Sequence, residues 1–588
     1  MRLRWKPVLG ILCSLLLTLP LAIPLTGVEA KRSSDPPRQV AVGSEGMVVT
    51  AHPLATQVGA DVLRQGGNAV DAAVAIQFVL NVVEPMMSGI GGGGFMMVYD
   101  AKTRKVSIVN SRERAPMGAK PDMFLDEDGK VIPFPERHTH GNAVGVPGTL
   151  KGLETALNRW GTRPLSKLID PAIRLAEKGV KVNWVLADAI DENKDKLSRT
   201  AAKDVFLPGG KPLKEGDLLV QKDLAKTLRL IQKHGTDVFY RGKVGEAIAR
   251  TVREHGGSMT LDDLKRYRVT LDQPVRGTFK DYEIVSMPPP SSGGLTAIQI
   301  LKLLEELEAG RYHVRSPEKY HLFAEAMHLA YADRGAYIGD PEFVDIPMKG
   351  LLHPEYIRER AALVSMDRAN PEVEPGDPWK YEGKKGNKPA TVQPDNRPIG
   401  QTTHFTVADR WGNLVSYTTT IEQLFGSGIM VPEYGILLNN ELTDFDAVPG
   451  GPNEVRPFKR PMSSMTPTIV FRNGKPVMTV GSPGGPTIIA SVFQVIFNKL
   501  EYGMPLKSAI EEPRIYSNRY PDIRWEEGVP EKTRIRLREL GHRWESAPVN
   551  IGNVQSIWID HRSGLYIGAA DSTREGATVG LFGKGKKK

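Results

Sequence analysis

The stretch Gly400-Gln401-Thr402-Thr403-His404-Phe405-Thr406-Val407-Ala408-Asp409 joins a polar, Pro/Gly-rich run to an alternating segment that begins with threonine. Alternation and β-branched residues predict a strand with two distinct faces. The junction also has the make-up of a built-in cleavage site. If Thr402 Oγ1 attacks the Gln401 carbonyl, the ester that forms can be hydrolysed, leaving a chain that starts with a hydroxyl beside a free amine. An α-amino group, with an ordinary pKa of about 7.7–8.0, suits the task of base for a hydroxyl that is a weak nucleophile alone. An ordinary loop running into a Thr-rich strand is the competing reading.

Upstream of the junction, residues 371–400 are rich in Pro, Gly, Lys and Asn and lack apolar periodicity, so this linker, 371–401, is expected to be exposed and mobile. Helical patterns dominate earlier, at 165–178, 224–234, 295–308 and 317–333. A helix pair within 52–80 meets at Gly66-Gly67-Asn68, with Asn68 as the cap. Strands are expected at 95–99, 106–110 and 282–287. After the junction they are expected at 403–409, 414–421, 435–439, 468–472, 476–481, 554–560 and 564–570, with helices near 487–501 and 530–541. Helices mostly before the junction and a strand-rich half after it predict an α+β fold with helices layered outside stacked sheets. The glycine-rich run from Gly89 to Gly94 lacks the Lys-Ser/Thr that a phosphate loop requires, which excludes that reading.

The chain has 588 residues, ample for a large layered core. Arg2, Arg4 and Lys6 precede an apolar run from Val8 to about Val28, broken by Pro20 and Pro24 and followed by Glu29-Ala30. Residues 1–30 read as a secretory signal peptide, with a signal anchor as the alternative. The single cysteine, Cys13, lies in that run, so the mature chain has no disulfide and no thiol nucleophile. Of the net charge of +9, the signal carries +2 and the lysines at 584 and 586–588 carry +4, leaving about +3 for the body. That excess is too small to argue for nucleic acid.

Three further segments carry polar chemistry. In Thr418-Thr419-Thr420-Ile421-Glu422, alternation would put Thr420 and Glu422 on one face, although a solvated strand face is the bland alternative. Asn439-Asn440-Glu441-Leu442-Thr443-Asp444 is an acidic turn, and Arg460-Pro461-Met462-Ser463-Ser464-Met465-Thr466-Pro467 a hydroxyl-bearing loop. Gly481-Ser482-Pro483-Gly484-Gly485 leads into a helix, where exposed N–H groups can receive an anion or a developing oxyanion.

Together with Arg112-Glu113-Arg114-Ala115-Pro116, Thr402-Thr403-His404, Phe425-Gly426-Ser427-Gly428 and Leu438-Asn439-Asn440, these motifs make the chain resemble the γ-glutamyltranspeptidases over its whole mature length. The resemblance implies a four-layer αββα sandwich of the N-terminal-nucleophile hydrolase type, made from two autocleaved chains. These are a large subunit, 31–401, and a small catalytic subunit, 402–588, cut between Gln401 and Thr402 and associated as a heterodimer. It implies Thr402 as nucleophile, Thr420 as the hydroxyl that positions it, and the Gly484 and Gly485 N–H groups as oxyanion donors. Arg112, Ser463 and Ser464 would hold the substrate α-carboxylate, and Glu422, Glu441 and Asp444 its α-ammonium group. A zwitterionic head that loses its water needs partners for both charges.

The implied reaction takes the γ-glutamyl group from glutathione or related compounds and passes it to water, an amino acid or a peptide, without metal or organic cofactor. The expected setting is secreted and extracellular, or periplasmic if the cell has an outer membrane, with no membrane attachment after signal removal. Two departures stand out. Some relatives carry amides where this chain has Glu422 and Glu441, and the connection Asp446–Glu454 is short, lacking the longer lid of some bacterial members, so a more open site is expected. A poly-γ-glutamate depolymerase or an acylase on the same fold, and an exported solute-binding protein, are the rival functions.

Overall fold

Thr402–Asp409 pairs antiparallel with Leu414–Thr420 on one side and with Gly46–Thr50 on the other, and Thr402 faces Thr420 in register. This computed structural model describes residues 38–386 and 398–583. The signal reading, Cys13, the lysine tail and residues 387–397 lie outside the described residues. No helix among the described residues is long and apolar enough to cross a membrane.

Two seven-stranded antiparallel sheets form the centre. The first runs in the order Ala577–Leu581, Gly46–Thr50, Thr402–Asp409, Leu414–Thr420, Gly93–Asp100, Lys105–Asn110 and Thr270–Asp272. The second runs Val40–Gly43, Leu565–Ala570, Gln555–Asp560, Lys475–Gly481, Thr468–Arg472, Tyr282–Ser286 and Val275–Phe279. Period-2 alternation assigns each side chain to a layer. Met47, Val49, Phe95, Met97, Ala408 and Leu414 pack in one apolar cluster with Ile469, Val480 and Ile557 of the second sheet. Val48, Met96, Val98, Phe405, Val407 and Val415 point the other way, onto helices Pro53–Arg64, Ala69–Val83 and Thr149–Trp160. Helices Gly293–Glu306, Pro317–Tyr337 and Thr487–Leu500 cover the second sheet. The result is the expected αββα sandwich. Each fully buried Val, Leu, Ile, Phe or Met contributes about 1.5–3 kcal/mol, so the layered core is the main source of cohesion.

The expected division of elements needs correction. Seven of the fourteen strands in the two sheets precede Thr402 and seven follow it, and each sheet draws strands from both segments. The upstream strands 40–43, 46–50, 270–272 and 275–279 and the last strand, 577–581, are short and glycine-bearing or weakly alternating, which hides them from periodicity. The helix expected at 165–178 is two, Leu165–Leu168 and Asp170–Lys178, with Pro171 near the start of the second. The strand expected at 435–439 shrinks to Ile436–Leu437. Part of the linker is packed: Gly376 N donates to Asp333 Oδ1 at 2.9 Å, Tyr337 Oη donates to Gly376 O at 2.6 Å, and Trp379 packs on the core.

The glycine run serves close backbone approach. A Cβ on Gly91 would lie 2.0 Å from Leu437 O, on Gly92 2.1 Å from Thr420 O and on Gly94 2.6 Å from Thr418 O, so only glycine lets these segments meet. Ala69–Val83, apolar nearly all round, is buried at every residue, as such a pattern requires. Its Asn68 cap forms as expected: Asn68 Oδ1 accepts from Asp71 N at 3.0 Å, and Asn68 N donates to Asp71 Oδ2 at 2.9 Å. Asn68→Ala is expected to destabilise the protein by about 1 kcal/mol, read from thermal or denaturant unfolding; an unchanged midpoint would show that the cap is idle.

Candidate active site

Alternation sends Thr402, His404 and Thr406 to the face between the sheets, while Thr403 turns to the helices and donates to Glu84 Oε2 at 2.8 Å. Thr402 is 3 % exposed. Its hydroxyl donates to Thr420 Oγ1 at 3.2 Å. Thr420 Oγ1 in turn donates to Gln401 O at 2.9 Å and accepts from Glu422 N at 2.8 Å. One hydroxyl has one proton and two lone pairs, so these three bonds are mutually consistent. Thr420 therefore touches both the hydroxyl of Thr402 and the carbonyl in front of it.

The Gln401–Thr402 peptide is clamped on both sides. Gln401 N donates to Glu422 O at 2.6 Å. Arg574 Nη1 donates to Thr402 O at 2.9 Å and its Nη2 to Gln401 Oε1 at 2.8 Å. Burial raises the Glu84 carboxyl, with Arg574 and Thr403 acting the other way. Burial pushes His404 down to about 3, so it is a neutral spacer between the sheets, 2.8 Å from Thr418 Oγ1.

Lys475–Gly481 delivers the glycine loop to the same end of the sandwich, and helix Thr487–Leu500 starts just after it. Gly484 and Gly485 have φ of 126° and 53°, in the region that favours glycine. A Cβ on Gly485 would also lie 2.7 Å from Gly400 N. Glu422 holds φ at 81°, a strained value for a residue with a side chain, at the point where the strand leaves Thr420.

A narrow cleft gathers nine of the ten expected substrate and catalytic residues: Arg112, Thr402, Thr420, Glu422, Glu441, Asp444, Ser463, Ser464 and Gly485. Gly484 lies across the junction, lining a second cleft with Gln401 and Arg574. Pro398 and Gly400 wall the first cleft, and no residue of Asp446–Glu454 lines it. Arg112, 1 % exposed, is its electrostatic centre. Its Nη1 pairs with Glu441, its Nη2 donates to Asp444 Oδ2 at 2.5 Å and Met462 O at 2.9 Å, and its Nε donates to Pro461 O at 3.2 Å. Burial alone would weaken the Arg112 charge, but Glu441 and Asp444 more than offset it. Ser463 Oγ accepts from Met465 N at 3.1 Å and Ser464 Oγ from Arg334 Nη2 at 2.9 Å.

Sequence reasoning missed Arg574, Arg334 and Glu84, and it quoted Asn439 within a motif without giving it a role. Asn439 ties three segments, donating to Gly91 O and Gly145 O and accepting from Gly145 N and Glu441 N. Arg574 is 172 residues past Thr402 in a turn without local pattern. The one available signal was charge at core positions of helix Pro317–Tyr337, which is buried almost all round and includes Arg334.

The γ-glutamyltranspeptidase family model matches residues 55–581. The chain is 61 % identical over 584 residues to the glutathione hydrolase proenzyme of Bacillus subtilis (strain 168), covering 99 % of each. Its structure is similar to cephalosporin acylase from Bacillus halodurans, with TM-score 0.82 and 28 % identity over 96 % of this chain and all of that one. It is also similar to γ-glutamyltranspeptidase of Helicobacter pylori, with TM-score 0.53 and 42 % identity over 55 % of this chain and 94 % of that one. Fold and site thus define an N-terminal-nucleophile hydrolase. The chain belongs to the γ-glutamyltranspeptidase family and is an enzyme of γ-glutamyl transfer and hydrolysis.

Glu113, fully buried beside this site, is pushed well above the carboxylate range by burial and by the Glu441 charge, and burial pushes Glu441 from the ordinary 4.5 up to about 7. Between those values the native pair keeps a proton that the unfolded chain has released. Native protein then binds more protons, so this pair's contribution to stability falls as pH rises from about 4.5 to about 7. In Glu113→Gln the decline of Tm with pH across that window should be flatter; identical slopes would refute the shared-proton account.

Proposed function

We propose that this chain is a secreted zymogen that cuts itself between Gln401 and Thr402 and then uses Thr402 to transfer the γ-glutamyl group of glutathione and related compounds. The observation that carries this reading is the Thr420 hydroxyl, 3.2 Å from Thr402 Oγ1 and 2.9 Å from Gln401 O. In the first step Thr402 Oγ1 bonds to the Gln401 carbonyl carbon, and the oxygen that gains charge is the one Thr420 already donates to. The C–N bond breaks as the proton that Thr402 Oγ1 gives up passes to the Thr402 nitrogen, and water then hydrolyses the ester. Gln401 leaves as a carboxylate on a 31–401 chain, and the 402–588 chain begins with a free amine. Arg574 supports this step by holding the groups on both sides of the peptide, which favours one attack geometry.

In turnover the same hydroxyl attacks the γ-carbonyl of the donor, with the Thr402 amine as base and the Gly484 and Gly485 N–H groups as oxyanion donors. Four of the five Arg112 donors are engaged in the uncut chain, so an entering α-carboxylate meets a cation whose position is already fixed by Glu441, Asp444, Pro461 and Met462. Ser463 and Ser464 complete that end of the pocket. Glu422, Glu441 and Asp444 offer negative charge to the α-ammonium group. Fixing both charges leaves the γ-carbonyl facing Thr402. Amino acids, peptides and water act as acceptors, and the two chains stay together because both sheets contain strands of each.

On a denaturing gel, wild type is expected to give two bands and Thr402→Ala one; two bands from Thr402→Ala would refute self-cleavage at this residue. Thr420→Val should slow cutting by roughly 10²–10³-fold, the usual effect of losing one oxyanion donor, followed as disappearance of the full-length band. For turnover of γ-glutamyl anilides, Ser463→Ala with Ser464→Ala should raise KM more than it lowers kcat. An unchanged KM would remove the two serines from the carboxylate subsite. Shortening of poly-γ-glutamate with glutathione inert would favour the depolymerase reading instead.

A further inference from the structure

Away from the cleft, helix Pro317–Tyr337 carries His321, Glu325 and His328 on one face, and His542 comes up against them from the turn before Arg543–Trp544. All four are buried. His321 Nδ1 lies 2.8 Å from His542 Nε2, and its Nε2 lies 2.7 Å from Ser365 O. A carbonyl only accepts, so His321 Nε2 carries the proton, and Nδ1 accepts from His542 Nε2–H, which leaves the His542 Nδ1 lone pair without a partner. His328 Nε2 lies 2.7 Å from Ser517 Oγ, whose proton is given to Asp522 O at 2.5 Å. His328 Nε2 therefore donates to that hydroxyl, and its Nδ1 lone pair faces Glu325 Oε1 at 3.3 Å.

Glu325 Oε1, His328 Nδ1 and His542 Nδ1 are buried without a hydrogen-bond partner. Lone pairs left without a hydrogen-bond partner in a dry interior are costly, and a bound cation is one means of satisfying them.

We propose that His321, Glu325 and His542, with His328 beside them, form a structural site for a zinc-type divalent transition-metal ion. One donor atom from each of the first three lies within 4.8 Å of the others. Bonds of about 2.0–2.1 Å in tetrahedral geometry place donors roughly 3.4 Å apart, a change that small side-chain shifts supply. The bonds from His321 Nε2 to Ser365 O and from His328 Nε2 to Ser517 Oγ are the outer contacts that fix ring orientation and tautomer in imidazole metal sites. On binding, the ion takes the place of the bond between His542 Nε2–H and His321 Nδ1: both rings stay neutral, His321 ligating through Nδ1 and His542 through the nitrogen that does not keep the proton. His321, Glu325 and His328 precede Thr402 and His542 follows it, so the ion ties the two segments together. Only this last consequence rests on the cleavage reading.

The test uses the full-length purified enzyme, stripped with chelator and then dialysed against Zn²⁺ or Co²⁺. About one Zn²⁺ per chain and a tetrahedral Co²⁺ visible spectrum are expected. Affinity should fall roughly 100-fold or more in His542→Ala and in Glu325→Gln, with γ-glutamyl turnover retained. Uptake of less than about a tenth of an equivalent, or full uptake in both variants, would overturn the site. Should the variants fold poorly, X-ray absorption of the wild-type zinc protein decides the matter: histidine ligation supports the site, and its absence refutes it. Uncut Thr402→Ala should take up the same zinc, so failure of self-cleavage and failure of metal binding are separate results.

Discussion

The pairing of Thr402 with Thr420 across two antiparallel strands is the constraint from which the site follows. Strand register fixes which side chains meet, and a slip by one residue would turn Thr402 toward the helices and put Thr403 in its place. Register here is set by burial on both faces: Phe405 and Val407 belong to the helix-side core and Ala408 to the core between the sheets. A slip would exchange these sets. The hydroxyl contact at 3.2 Å is thus held by the whole core, and the contact itself contributes little to stability.

The cost of such a site is concentrated in its charges. Arg112, Glu113 and Glu441 are essentially removed from water, and each carries a partner or a displaced protonation equilibrium in compensation. Arg112 is anchored by carboxylates and by two backbone carbonyls, which leaves its position independent of any substrate. The strained turn at Glu422 and the two glycines at 484 and 485 belong to the same economy. Backbone conformations that side chains disfavour gather beside the Gln401–Thr402 junction, where Glu422 O accepts from Gln401 N at 2.6 Å and Gly485 packs close to Gly400.

Elements with a strong local signal were legible from residues alone: the Asn68 cap, the helix at 487–500, the hairpin 402–420 and the glycine loop before the helix. Elements whose strand character comes from neighbours were not. Gly46-Met47-Val48-Val49-Thr50 reads as an apolar scrap, yet it lies between Thr402–Asp409 and Ala577–Leu581 and supplies core residues to both layers. Missing it and its kin made the upstream segment look helical and concealed that the two segments share both sheets.

By itself the sequence determined the order of motifs, the threonine at the head of a strand and the residue types that gather around it, because these are written in contiguous or regularly spaced positions. Tertiary structure decided what distant residues do: Arg574 grips the Thr402 junction, Arg334 steadies Ser464, and His542 joins a cluster 221 residues away. The physical reason is that buried polar groups must find partners wherever packing brings them. That search is settled in space, where spacing along the chain carries no information about it.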